Sequence, residues 1–172
     1  MKNNILPLLK THYLSFIIEN IIEKSLMHHI YIHLYVELIN DISKHYDINI
    51  LLNKEINKIY NILMKKNNHG NTYQDLCNHN NNIDKLCGLT LLISNLEKNC
   101  KIDKNTNIIT NDLLSNIDYN DLDYIFKTLL CIQNMFQLNK LLLSEFKDKL
   151  IDIQKSKINS KIKFKIMDIL DI

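Results

Sequence analysis

Residues 12–42 read HYLSFIIENIIEKSLMHHIYIHLYVELINDI. Leu14, Ile17, Ile18, Ile21, Ile22 and Leu26 recur at helical spacing, the stripe of an amphipathic helix over about 12–27. Tyr31, Leu34, Tyr35, Leu38, Ile39 and Ile42 start the pattern again at once. Only a tight link at His28-His29 separates the two stripes, so the second helix must fold back on the first. Neither helix can bury its stripe alone, and the chain must supply further helices to cover them.

Further stripes follow. Ile48, Leu51, Leu52, Ile56, Ile59, Tyr60 and Leu63 predict a helix over about 48–66. Residues 67–82, NNHGNTYQDLCNHNNN, break the periodicity and read as a flexible Asn-rich loop. Leu86, Leu89, Leu92, Ile93, Leu96 and Cys100 resume it over about 83–100. Asn111 and Asp112 are expected to cap a short turn around Leu113 and Leu114. Asp118 or Asn120 is expected to cap the next helix, with Leu122, Ile125, Phe126, Leu129, Leu130 and Phe136. Leu138, Leu141, Leu142, Leu150 and Ile153 mark another over about 138–156. Residues 2–9 read as a short first helix limited by Pro7, and Thr11 as the cap of the helix that follows.

The last stretch, 159–172, is NSKIKFKIMDILDI. Asn159 and Ser160 are cap residues, and Ile158, Ile162, Ile166, Ile169 and Leu170 fall on one side at 100° per residue. Phe164 falls nearly opposite, among Lys161, Met167, Asp168 and Asp171. An earlier helix or a partner must cover it.

These readings give about nine helices joined by short links. The fold class is all-α: an α-solenoid of antiparallel helix pairs with HEAT-like repeats, forming one domain over 1–172, with a compact bundle as the alternative. The composition agrees. Of 172 residues 46% are hydrophobic, while 2 Gly and 1 Pro are too few punctuators for an all-β chain. Arg and Ala are absent and Val36 is the one valine, a codon bias of AT-rich coding sequence that blunts any argument from Lys in place of Arg. The net charge of +2 does not demand a nucleic-acid partner. Cys77, Cys87, Cys100 and Cys131 are widely spaced and read as reduced thiols of a cytoplasmic protein. No apolar run reaches the roughly 20 residues of a membrane span, and no signal peptide is expected.

Chemistry-bearing patterns are few. There is no Gly-rich phosphate loop, no G-x-S-x-G and no H-E-x-x-H, so the chain reads as a non-enzyme without a cofactor. His29 and His33 share a helix face, but solvated histidines outweigh a metal pair there. His69, Cys77, His79 and Cys87 number four possible zinc ligands at a spacing that matches no standard module. The Tyr-x4-Leu-apolar pattern by which helical peptides dock on cap-binding protein occurs at Tyr46, Leu51 and Leu52 and again at Tyr124, Leu129 and Leu130. Both leucine sets lie on core stripes, which favours chance. Lys155, Lys157, Lys161, Lys163 and Lys165 gather near the end, where a solvated face and a contact with phosphates or an acidic surface weigh evenly.

Four stretches together resemble one family, the HEAT-type middle domain of eukaryotic translation initiation factor 4G and related scaffolds. FIIENIIEKSL at 16–26 resembles its second helix, with Glu23, Lys24 and Ser25 at the end. Tyr31, Tyr35 and Leu38 fall where the next helix has its aromatic, Tyr and Leu. CGLTLLISNLEK at 87–98 is similar to the family's LGNIRFIGELFK in Gly88, Leu92, Ile93, Leu96 and Lys98. Residues 159–172 are similar to its SSRIRFMLQDVLDL in Ser160, Ile162, Phe164, Asp168, Leu170 and Asp171. The departures are Lys161 and Lys163 for two arginines, which removes bidentate pairing, and Leu89 and Leu91 for a polar Asn and Arg.

The resemblance implies a crescent of helix pairs that binds a DEAD-box RNA helicase of initiation factor 4A type and favours its active half-open state in translation initiation. It implies a contact with the helicase's N-terminal lobe through Phe164, Lys161, Lys163 and Asp168, and a contact with the C-terminal lobe around His28 to Tyr31. The flanking segments that recruit cap-binding and poly(A)-binding proteins have no counterpart in this sequence, which is expected of a stand-alone core, a piece of a longer factor, or a minimal or viral homologue. Three alternatives stay open: the same scaffold in splicing, nonsense-mediated decay or cap binding; a translation inhibitor that sequesters the helicase; and a solenoid that binds RNA directly.

Overall fold

A computed structural model describes residues 11–64, 72–99, 102, 106–117, 121–156 and 158–172. The expected helix over 2–9, the caps Asp118 and Asn120, and Cys100 and His69 lie outside these. The described residues form eight α-helices and no strand: α1 (Thr11–Met27), α2 (Ile32–Ser43), α3 (Asn49–Met64), α4 (Tyr73–Lys98), α5 (Thr106–Ser115), α6 (Leu122–Leu138), α7 (Lys140–Lys155) and α8 (Ser160–Leu170). A single 3-10 turn, His29–Tyr31, joins α1 to α2.

The helices share one continuous apolar core. α4 packs against α1 on one side and α6 on the other, and α6 passes the contact on to α8, so α1, α4, α6 and α8 form a row. α2 and α3 rest on α1 and α4, α5 on α6, and α7 on α6 and α8. The expected stripes of α3, α4, α6 and α8 supply this core: Leu52, Ile56, Leu89, Leu92, Ile93, Leu96, Ile125, Leu129, Ile162, Ile166 and Ile169 are all essentially inaccessible.

Three expectations need correction. The Asn-rich segment is not a loop throughout 67–82, because α4 begins at Tyr73. Thr72 and Asp75 form a capping box there: the Thr72 hydroxyl accepts the Asp75 N–H at 3.2 Å, and an Asp75 carboxylate oxygen accepts the Thr72 N–H at 3.3 Å. Buried positions of α4 start only at Ile83, so the first turns carry little core contact beyond His79, which lies against Tyr124 and Asp121, and the cap helps hold them. Thr72→Ala is expected to cost about 1 kcal/mol locally. Amide exchange over residues 73–82 should quicken about five-fold while the global melting temperature hardly moves. Exchange unchanged over those amides would show that the cap does not hold the arm.

The second correction concerns α5, expected as a short turn capped by Asn111 and Asp112. It begins at Thr106, and those two residues lie inside it. Its start is satisfied from a distance: the Glu97 carboxylate at the end of α4 accepts the Thr106 N–H at 2.8 Å and the Thr106 hydroxyl at 2.6 Å. The cap of α6 is Asp121, which accepts the Tyr124 N–H at 2.9 Å.

The third is a partial shift of face: Ile39 and Ile42 of the expected stripe are buried and Tyr35 packs partly buried against the core, but the rest of the stripe is not buried. On α2 the buried residues are Ile32, Val36, Ile39 and Ile42, whereas Tyr31, Leu34 and Leu38 are exposed at 55%, 49% and 37%. The helix carries two competing apolar stripes offset by one position. The one built on β-branched Ile32, Val36 and Ile39 faces the core.

Candidate functional site

The final helix is built from a local cap upward. The Asn159 side chain accepts the Lys161 N–H at 2.7 Å, as the sequence suggests. Ile162, Ile166 and Ile169 then lie on α6 and α7. Turning 200° from Ile162 places Phe164 away from the core, and it is 64% exposed. No described helix covers it. Met167, 46% exposed, and Asp168 stand on the same open side.

The lysines divide. The Lys161 ammonium lies 4.5 Å from the centre of the Phe126 ring on α6, and Lys165 sits 5.4 Å from it. Lys165 also donates to the Gln133 side-chain oxygen. The two are four residues apart on one helix face, so a single ring receives both, each contact worth about 0.5–1 kcal/mol at a surface. Lys163 is half-buried. The expected basic group is therefore drawn toward α6, beside Phe164 rather than around it.

The second expected contact lies elsewhere. His28 and Tyr31 are exposed on the 3-10 turn, which packs on α1, α2 and α4, whereas α8 packs on α6 and α7. The structure does not bring the two groups together. Around Tyr31 it exposes more apolar surface than the sequence pattern suggested: Met27 at 53%, Ile30 at 78%, Leu34 and Leu38. The signal was present as the second stripe of α2, but its exposure follows from which stripe the core accepts.

Other candidate clusters acquire structural partners. In both Tyr-x4-Leu patterns one leucine, Leu52 or Leu129, is fully buried, while Tyr46, Leu51, Tyr124 and Leu130 are half-buried. His79 lies against the Tyr124 ring at 5.8 Å and 3.5 Å from an Asp121 carboxylate oxygen. Cys87 faces Cys131, not Cys77 or His79. Among the described residues no three His, Cys, Asp or Glu side chains gather as a metal site. No described helix is long and apolar enough to cross a membrane.

No family model, curated protein or solved structure matches this chain. The site readings therefore rest on its own residues and on the motif resemblance.

Proposed function

We propose that this chain is a scaffold that binds a DEAD-box RNA helicase of initiation factor 4A type and favours its half-open active state. Its helix pairs are read as a crescent α-solenoid, a reading supported by the row of α1, α4, α6 and α8. The observation that carries the proposal is Phe164: an aromatic 64% exposed on a capped helix, at the position where the resembling motif contacts the helicase's N-terminal lobe. Asp168 and the Lys161 stem flank it. The exposed turn around His28 and Tyr31 offers the second contact, on a different set of helices.

Two separated contacts on one packed body can bias a two-lobed partner. The scaffold binds tightly only those states whose lobe spacing matches its own, and the equilibrium shifts by the difference in affinity. A protein partner is favoured over RNA because two of the three lysines on α8 turn to Phe126 instead of projecting singly toward phosphates.

The test is helicase ATPase with and without the purified chain, then with Phe164→Ala. The wild type is expected to bind and raise turnover. The variant should lose most of the stimulation while its own stability changes by less than about 0.5 kcal/mol, since the ring has few intramolecular contacts to lose. No binding by the wild type rejects the scaffold. Binding with lowered ATPase replaces it with a sequestering inhibitor. Full stimulation by the variant removes Phe164 from the contact.

A further inference from the structure

The α4–α6 seam, the most extensive helix contact among the described residues, contains two free thiols in contact. The Cys87 and Cys131 sulfurs are 3.3 Å apart, and both residues are buried. We propose that Cys87 and Cys131 are a redox-active dithiol that a small hydroperoxide converts to a disulfide, cross-linking α4 to α6.

The two sulfurs are not equivalent. Cys131 is fully enclosed, whereas Cys87 retains 9% exposure. One turn before Cys87 stands Asp84, and one turn before Cys131 stands Lys127. These two form an ion pair of 2.7 Å, with side-chain exposures of 63% and 30%. Cys87 therefore sits one layer beneath a solvated ion pair, within reach of an oxidant as small as hydrogen peroxide. Its sulfur also lies 3.8 Å from the Lys127 carbonyl oxygen, which accepts a hydrogen bond from it when it is the thiol.

The electrostatics assign the order of events. The hydrogen bond with Cys131 holds the Cys87 thiol below its ordinary value. Burial and Asp84 oppose this, and the Lys127 ammonium assists. The same hydrogen bond, then burial, pushes the Cys131 thiol well above its ordinary value. Of the two thiols, Cys87 therefore gives up its proton the more readily and Cys131 the less readily.

The Cys87 thiolate attacks one peroxide oxygen. The O–O bond breaks, hydroxide leaves and becomes water by taking a proton from solvent, and Cys87 becomes a sulfenic acid. The Cys131 sulfur then attacks the Cys87 sulfur. An S–S bond forms, the S–O bond breaks, and the departing hydroxide takes the Cys131 proton as a second water. Two electrons pass from the thiols to the peroxide. Bonding brings the sulfurs about 1.3 Å closer than they stand, a small adjustment of side chains on two packed helices.

The experiment treats the folded protein with a slight excess of hydrogen peroxide, then blocks remaining thiols and digests with trypsin without reductant. Peptides 86–98 and 128–140 each contain one of the two cysteines. They should appear joined, with the intact mass taken before blocking lower by about 2 Da, and separate after reduction. The oxidised protein should melt about 5–10 °C higher, because the bond closes a chain loop between positions 44 apart. Cys131→Ser should stop oxidation of Cys87 at the sulfenic acid, detected with a dimedone probe. If Cys131→Ser does not fold, the wild-type peptide map decides alone. Peptides that stay separate while the protein remains folded overturn the proposal, as does joining that occurs only after denaturation or only through Cys77 or Cys100.

Discussion

Phe136→Ala should destabilise the chain by about 3–5 kcal/mol, the cost of truncating a large aromatic in a site that cannot collapse. Phe136 is wholly inaccessible on α6, and its ring stacks on Phe146 of α7 with centroids 6.4 Å apart and planes 20° from parallel. α6 touches α4, α5, α7 and α8, so no single neighbour can move in to fill the void without leaving another contact. The lost aromatic pairing adds about 0.5–1.5 kcal/mol to the lost burial and is part of the reason for the upper end of the range. Against a total stability of about 5–15 kcal/mol for a domain of ordinary size, this removes roughly a fifth or more. Urea denaturation followed by far-ultraviolet circular dichroism is the measurement, since the chain has no tryptophan. The midpoint should fall steeply with little change in slope. Phe136→Leu should fall much less, because it keeps most of the volume. Equal midpoints for wild type and Phe136→Ala would show that α6 is not packed as described.

Gly88→Ala is the second large effect, and its sign runs against local propensity. In an exposed helix interior, alanine is more stable than glycine by about 1 kcal/mol. Here a Cβ at position 88 would stand 2.6 Å from the Leu26 carbonyl oxygen and 2.9 Å from the Leu26 Cα. Both atoms are backbone, so relief requires α4 and the end of α1 to separate. Overpacking of this kind costs about 1–3 kcal/mol or more, which exceeds the gain in propensity. A net loss of up to about 2 kcal/mol is expected, measured by the same denaturation. Because Leu26 precedes the turn bearing His28 and Tyr31, the strain should also be felt there, as faster amide exchange at the α1–α2 link. A stabilised Gly88→Ala protein would show that the two helices approach less closely.

Gly88 also marks the border between what could and could not be read from the chain. The motif resemblance singled it out, and the close approach to Leu26 gives the physical reason for a glycine there. Phe164 was legible as well: its position opposite Ile162, Ile166 and Ile169 follows from the helical period alone, and it is exposed. What no period can reveal is that Lys161 and Lys165 bend onto Phe126, because that ring is supplied from another helix.

Local chemistry determined the helices. The stripes of α1, α3, α4, α6 and α8 and the Asn159 cap depend on residues within a few positions of each other, and such interactions persist whatever the helices later touch. The Thr72–Asp75 capping box was equally local but stood in an Asn-rich run whose low helix propensity outweighed it. Tertiary structure alone decided three things. It placed Glu97 as the remote cap that lets α5 begin at Thr106. It brought Cys87 and Cys131 into contact across 44 positions of sequence. It chose between the two stripes of α2, burying Ile32, Val36 and Ile39 and leaving Tyr31, Leu34 and Leu38 to solvent. Sequence periodicity states that a helix has an apolar face. When it has two, only the shape of the surface waiting to receive it determines which one is buried.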